Sequence, residues 1–182
     1  MTEQRRLAAI LVADVAGYSK LVGSDEAGTL VQLRALRTNI IEPAIAKHAG
    51  RLFKAVGDGF LVEFASAVQA VEAARAIQHA NAQGELPLRI GIHVGDVVVQ
   101  GDDLMGDGVS IAARIEGVAD PGGIAISRAV HEQVRDKLNV GRRPPGRWHD
   151  VPRLSPEQKA APWGSIPPCR RDAGSKESRS GL

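Results

Sequence analysis

The segment Arg51-Leu52-Phe53-Lys54-Ala55-Val56-Gly57-Asp58-Gly59-Phe60-Leu61-Val62-Glu63-Phe64 sets two short apolar runs around a Gly-Asp-Gly turn, the pattern of a β-hairpin. A two-residue Asp58-Gly59 loop predicts pairing of Val56 with Leu61, Ala55 with Val62, Lys54 with Glu63 and Phe53 with Phe64. Phe53, Ala55, Val62 and Phe64 then form an apolar face against helices, and Lys54, Glu63, Val56 and Leu61 share the other face. Upstream, residues 7–15 are nearly all apolar up to Asp14, as in a central strand buried on both sides. Leu21, Leu30, Leu33, Leu36, Ile40 and Ile41 then recur at helical spacing, with Ser24-Asp25 as a cap for the longer helix. Downstream, residues 67–82 read as an alanine-rich helix, and 88–94 with 96–99 as a second hairpin about Gly95. Residues 104–118 read as a helix, 124–127 as a short strand and 128–138 as a last helix. The order β-α-β-β-α-β-β-α-β-α predicts an α+β sandwich of ferredoxin-like βαββαβ type.

Length and charge bound the alternatives. The 182 residues suit one domain with an extension. Residues 1–140 hold 14 Lys+Arg and 17 Asp+Glu, net −3, whereas 141–182 hold 9 and 4, net +5. The pI of about 8.9 therefore comes from the C-terminal part, and a nucleic-acid partner is not expected without a basic stripe on the folded body. The apolar run at residues 7–13 is too short to cross a bilayer, and a cytoplasmic protein without a membrane span is expected. Cys169 is the only cysteine, so any metal must sit on oxygen or imidazole. Seven of the ten prolines fall after residue 140, and neither strand nor helix periodicity persists there. The expected division is a folded domain over 1–138 and a disordered Pro/Arg/Gly-rich tail over 139–182.

Several residues admit both a chemical and a plain structural reading. Lys54 could simply pair across the hairpin with Glu63, and Asp58 could be an ordinary turn residue. Asp14 is harder to dismiss, because a carboxylate closing a buried strand needs a partner or a ligand. If the hairpin lies beside that strand, Asp58 approaches Asp14, and the two carboxylates make a hard-oxygen site for Mg2+ or Mn2+. Gly17-Tyr18-Ser19 opens a helix directly after the strand, where free amides favour a phosphate. Together these imply a nucleoside triphosphate. Asp107, Ser110 and Arg114 lie along one helix face, with Asp103 just upstream. They could be a cap, a packing residue and a surface charge, or Arg114 could emerge beside an interface.

The blocks Ile10-Leu11-Val12-Ala13-Asp14-Val15-Ala16-Gly17-Tyr18-Ser19, Lys54-Ala55-Val56-Gly57-Asp58-Gly59, Gly91-Ile92-His93-Val94-Gly95 and Asp103-Leu104-Met105-Gly106, with Val109 and Arg114 beyond, resemble the catalytic domain of class III nucleotidyl cyclases. The resemblance implies an adenylate cyclase that makes 3′,5′-cyclic AMP and pyrophosphate from ATP. It implies that Asp14, Asp58 and the Val15 carbonyl hold two Mg2+ or Mn2+ ions. It implies that Lys54 and Asp103 read adenine, with Asp103 accepting from the exocyclic amine and repelling the guanine carbonyl, and that Arg114 neutralises the reacting phosphates. It also implies a homodimer whose two sites each take the aspartates from one subunit and the base readers and arginine from the other. His93 falls in a matching block, with a structural role expected. Two departures stand out. Ser110 replaces the family's usual asparagine, and the closing C-terminal hairpin with its phosphate-binding lysine has no counterpart in residues 139–182, where Lys159 lies in no strand-like run. The tail is then a divergent extension or a frame-shifted reading of that hairpin. The contrasting expectation is a degenerate cyclase-like module that binds nucleotide or a partner and turns over little.

Overall fold

A computed structural model of the chain describes residues 4–138. The expectations for the tail, for Lys159 and for the closing hairpin fall outside those residues. Strand β1 (Gln4–Val15) is central, as its composition predicts: Ala9, Leu11, Ala13 and Val15 enter one core, and Ala8, Ile10 and Val12 another on the opposite face. Hairpin strands β2 (Arg51–Val56) and β3 (Gly59–Phe64) lie on one side of it, with β4 (Leu88–Gln100) and β5 (Asp103–Met105) on the other, in the order β2-β3-β1-β4-β5. The pairs along that path are antiparallel, and β6 (Ile124–Ile126) adds parallel to the first part of β4. The β2-β3-β1-β4 core with its helical crossovers is the expected ferredoxin-like α+β arrangement.

Helices cover the two faces unequally. Helices α1 (Tyr18–Ser24), α2 (Glu26–Leu36), α3 (Glu42–Lys47), α4 (Ala67–Ala80) and α6 (Arg128–Val134) pack on the larger core, and α5 (Asp107–Val118) lies on the other face against β4 and β1. Asp25 rather than Ser24 caps α2, its carboxylate accepting from the Gly28 amide at 3.0 Å. A widened turn at Arg37–Ile41 joins α2 to α3 just before Pro43, which has no N–H to donate to the carbonyl four residues back.

The structure corrects three details of the sequence reading. The first hairpin turns on Gly57-Asp58 rather than Asp58-Gly59, pairing Val56 with Gly59, Ala55 with Phe60 and Lys54 with Leu61. Gly57 supplies the positive φ of 59° that the first loop position needs. A bulge between Leu52 and Lys54 then puts Leu52 with the larger core and moves Phe53 to the other face. The expected second hairpin about Gly95 is instead one continuous strand paired with β1 from Leu88 to Val99. Gly95 marks a close approach, because a Cβ there would lie 2.9 Å from His93 Nε2 and 3.3 Å from the Gly108 Cα at the start of α5. The true turn is at Gly101-Asp102, so residues 103–105 form β5 and the expected helix begins only at Asp107.

Candidate active site

Asp14 and Arg89 are cross-strand partners on β1 and β4, so antiparallel register alone sets their side chains together on the α5 face. The guanidinium grips both carboxylate oxygens, Nε to Oδ1 at 3.0 Å and Nη2 to Oδ2 at 2.8 Å. Arg89 Nε also lies 3.1 Å from Oε1 of Glu116 on α5. That helix can come so close because residue 91 is glycine: a Cβ there would sit 2.2 Å from the Glu116 amide nitrogen. Asp58 arrives from the hairpin tip, where its Oδ2 accepts from the Val15 amide at 3.3 Å. The turn therefore brings the two sequence-predicted aspartates to one end of the sheet.

Three carboxyl groups here face one guanidinium. Burial raises the Asp58 carboxyl above its ordinary value, and the charge of Asp14 adds to the rise against hydrogen bonds from its own and the Val15 amide. Glu116 is pushed up to about 9, first by burial and then by Asp14, with Arg89 opposing. Burial works against the Arg89 charge, but Asp14 and Glu116 outweigh it and hold the guanidinium protonated. The cluster has a surplus of acid that a cation would relieve.

Lys54 does not pair with Glu63. Glu63 is taken by Arg6, which donates to both its oxygens at 2.7 Å, and Lys54 Nζ instead lies 3.7 Å from Asp103 Oδ1. β2 and β5 are at opposite ends of the strand order yet touch, and Arg51, stacked 4.3 Å over the Phe53 ring, adds a 3.4 Å contact to Asp102. The Lys54 and Asp103 side chains are both about half exposed, and Asp103 Oδ1 also accepts from the Leu104 amide at 3.0 Å. Two residues assigned to base recognition thus stand side by side in one chain.

Arg114 is the least expected feature. It is only 6% exposed, and Nε, Nη1 and Nη2 all lack a hydrogen-bond partner. Of the readings open to it, the solvated surface charge is excluded. Ser110 is one turn earlier on the same helix face and half-buried. Gly17 enters α1 with a φ of 73° and accepts at its carbonyl from the Lys20 and Leu21 amides, which leaves the Tyr18 and Ser19 amides without an intrahelical acceptor at the end of β1 next to Asp14. His93 lies on the α5 face with a buried, unpartnered Nδ1, and burial lowers its pKa to about 4, so it is a neutral packing residue near pH 7.

Sequence reasoning missed Arg89 and Glu116. Each left a signal: Arg89 interrupts the apolar run of β4, and Glu116 falls four residues after Ala112 and beside Ile115 on the buried face of α5. No three His, Cys, Asp or Glu side chains among the described residues form a ready-made metal cage. Asp14 and Asp58 nevertheless fit a hard divalent cation, which commonly takes one or two carboxylates and completes its shell with water and substrate phosphate.

The sheet and its covering helices thus bring Asp14 and Asp58 to one end of the central strand and Lys54 beside Asp103. The family described as the adenylate and guanylate cyclase catalytic domain matches residues 2–145, and the chain belongs to it. The chain is 50% identical over 145 residues to the Rhizobium meliloti (strain 1021) protein named "Putative adenylate cyclase 3", covering 75% of this chain and 25% of that protein. It is 32% identical over 135 residues to an adenylate cyclase of Streptomyces coelicolor, covering 71% and 34%. The solved adenylate/guanylate cyclase/hydrolase of Silicibacter pomeroyi superposes with a TM-score of 0.71 at 40% identity, covering 75% of this chain and 84% of that one. The chain therefore spans only about a quarter to a third of the length of these two curated relatives. No helix among the described residues is long and apolar enough to cross a membrane.

Proposed function

We propose that the domain converts ATP to 3′,5′-cyclic AMP and pyrophosphate in a homodimer with two shared sites. The observation that carries this reading is the 3.7 Å approach of Lys54 to Asp103, forty-nine residues apart in sequence, in a domain that also gathers Asp14 and Asp58. Lys54 donates to an adenine ring nitrogen and Asp103 accepts from the exocyclic amine. Asp14, Asp58 and the Val15 carbonyl would hold the two divalent cations, Mg2+ or Mn2+. When bound, such ions lower the barrier to attack by the ribose 3′-hydroxyl and neutralise the departing pyrophosphate. The 3′-hydroxyl gives up its proton to water as its oxygen bonds to the α-phosphorus and the bond from that phosphorus to the α,β-bridging oxygen breaks, pyrophosphate leaving with that oxygen, and Arg114 answers the negative charge that builds on the phosphoryl oxygens. The Gly17-Tyr18-Ser19 amides steady the phosphates. Ser110 orients the ribose from a shorter reach than asparagine, through water.

Incubating the purified protein with ATP and Mn2+ tests the reading. Cyclic AMP is expected from the wild type, little cyclic GMP from GTP, and almost no product from Asp58→Ala. Lys54→Glu should weaken ATP use. Equal product from wild type and Asp58→Ala would overturn the two-cation site, and preference for GTP would overturn the base assignment. Ser110 specifically favours a second reading, a nucleotide-binding module with little turnover, and nucleotide binding without product would select it.

A further inference from the structure

We infer that Arg89 is a positioning residue that holds Asp14 in place of a divalent cation and transfers to Glu116 when the cation arrives. The inference rests on Asp14 and Asp58 being the cation ligands. Arg89 engages both oxygens of Asp14 at 2.8 and 3.0 Å, so each carboxylate oxygen already faces an internal positive charge. A cation drawn to the same oxygens meets that guanidinium at short range, and two positive charges sharing one carboxylate repel. Glu116 offers the way out. Its Oε1 is already 3.1 Å from Arg89 Nε, yet it is buried and makes no well-directed hydrogen bond. A small swing of the guanidinium onto Glu116 Oε1 satisfies that unpartnered atom and frees Asp14 while keeping Arg89 hydrogen-bonded. The Gly91 approach that seats Glu116 over β4 thus provides a second acceptor directly beside the first.

The test is Mn2+ binding to nucleotide-free protein, read from the spin-resonance signal of free Mn2+, with wild type, Arg89→Gln, Arg89→Lys, Glu116→Leu and Asp58→Ala. Removing the internal competitor should tighten Mn2+ binding by about tenfold in Arg89→Gln, near the worth of one charge-assisted hydrogen bond. Arg89→Lys, which keeps charge but loses the fork, should fall between it and wild type. Glu116→Leu should bind more weakly, since Arg89 then has no second acceptor to move to. Melting in EDTA should be lower for Arg89→Gln than for wild type, with the larger rise on adding Mn2+. Equal or weaker binding by Arg89→Gln, while Asp58→Ala still abolishes binding, overturns the transfer and leaves the cation site standing. Wild-type binding by Asp58→Ala overturns the cation site itself. No binding by any variant, Arg89→Gln included, also overturns the transfer, because an unblocked Asp14 must be the better ligand.

Discussion

Arg89 on β4 faces helix α5 and Arg114 lies on it, and the chain treats their charges in opposite ways. Arg89 emerges from β4 between Asp14 and Glu116 and is answered twice within the molecule. Arg114, two residues before Glu116 on α5, is more deeply withdrawn from water than Arg89 and answered by nothing among the described residues. A buried cation without a partner is costly, so the difference separates a charge paired within the fold from one that, on the proposed reading, is answered by the substrate phosphates. An anion of the kind a triphosphate provides is the natural complement of Arg114.

Exchanging each arginine for methionine, which keeps most of the apolar stem, breaks this comparison most severely. Arg114→Met should lower cyclase activity by about a hundredfold to a thousandfold, as loss of a transition-state charge donor does, yet raise unfolding stability by about 1–3 kcal/mol because an unsatisfied group is removed. Arg89→Met should lower stability by a similar amount, since Asp14 and Glu116 lose their shared cation. Thermal unfolding beside rate measurements checks both, and a destabilised Arg114→Met protein would contradict the contrast.

Ser110→Asn sharpens the comparison at the next level. Restoring the longer amide one turn from Arg114 should raise kcat by up to about a hundredfold, with a smaller change in KM. No gain would mean that Ser110 is not where the rate is lost.

The smallest expected effect is on pH dependence. The folded chain holds the Glu116 carboxyl near 9 against an ordinary 4.5, so the native state keeps a proton that the unfolded chain releases. Stability is then full below about pH 4.5 and declines as pH climbs toward about 9, and the raised Asp58 carboxyl acts in the same direction. Melting temperatures across that window should fall for the metal-free wild type and fall less for Glu116→Gln.

Much of this architecture is legible in the sequence, because its signals are local. The apolar run ending in Asp14, the Gly-Asp-Gly turn and the helical spacings gave the element order and the sheet class. Register was harder, since the turn falls one residue earlier and moves Lys54 from Glu63 to Leu61, and the bulge at Leu52/Lys54 then depends on which core Phe53 enters. Gly95 misled because a glycine that permits a helix to approach looks, in one dimension, like a glycine that turns a chain. Of the site, Asp14, Asp58, Lys54, Asp103 and Arg114 were nameable from motif blocks. Arg89 and Glu116 were not, because their meaning lies in a cross-strand neighbour seventy-five residues away and a helix laid over it.

The central claim is that each site draws its aspartates from one copy and its lysine, aspartate and arginine from another. Mixing Asp58→Ala with Arg114→Met protein tests it most directly, because each mixed dimer then carries one site built wholly of intact residues. The account expects two nearly inactive preparations to regain about a quarter of the wild-type rate on mixing and re-association. A mixture as inactive as its parts would contradict it.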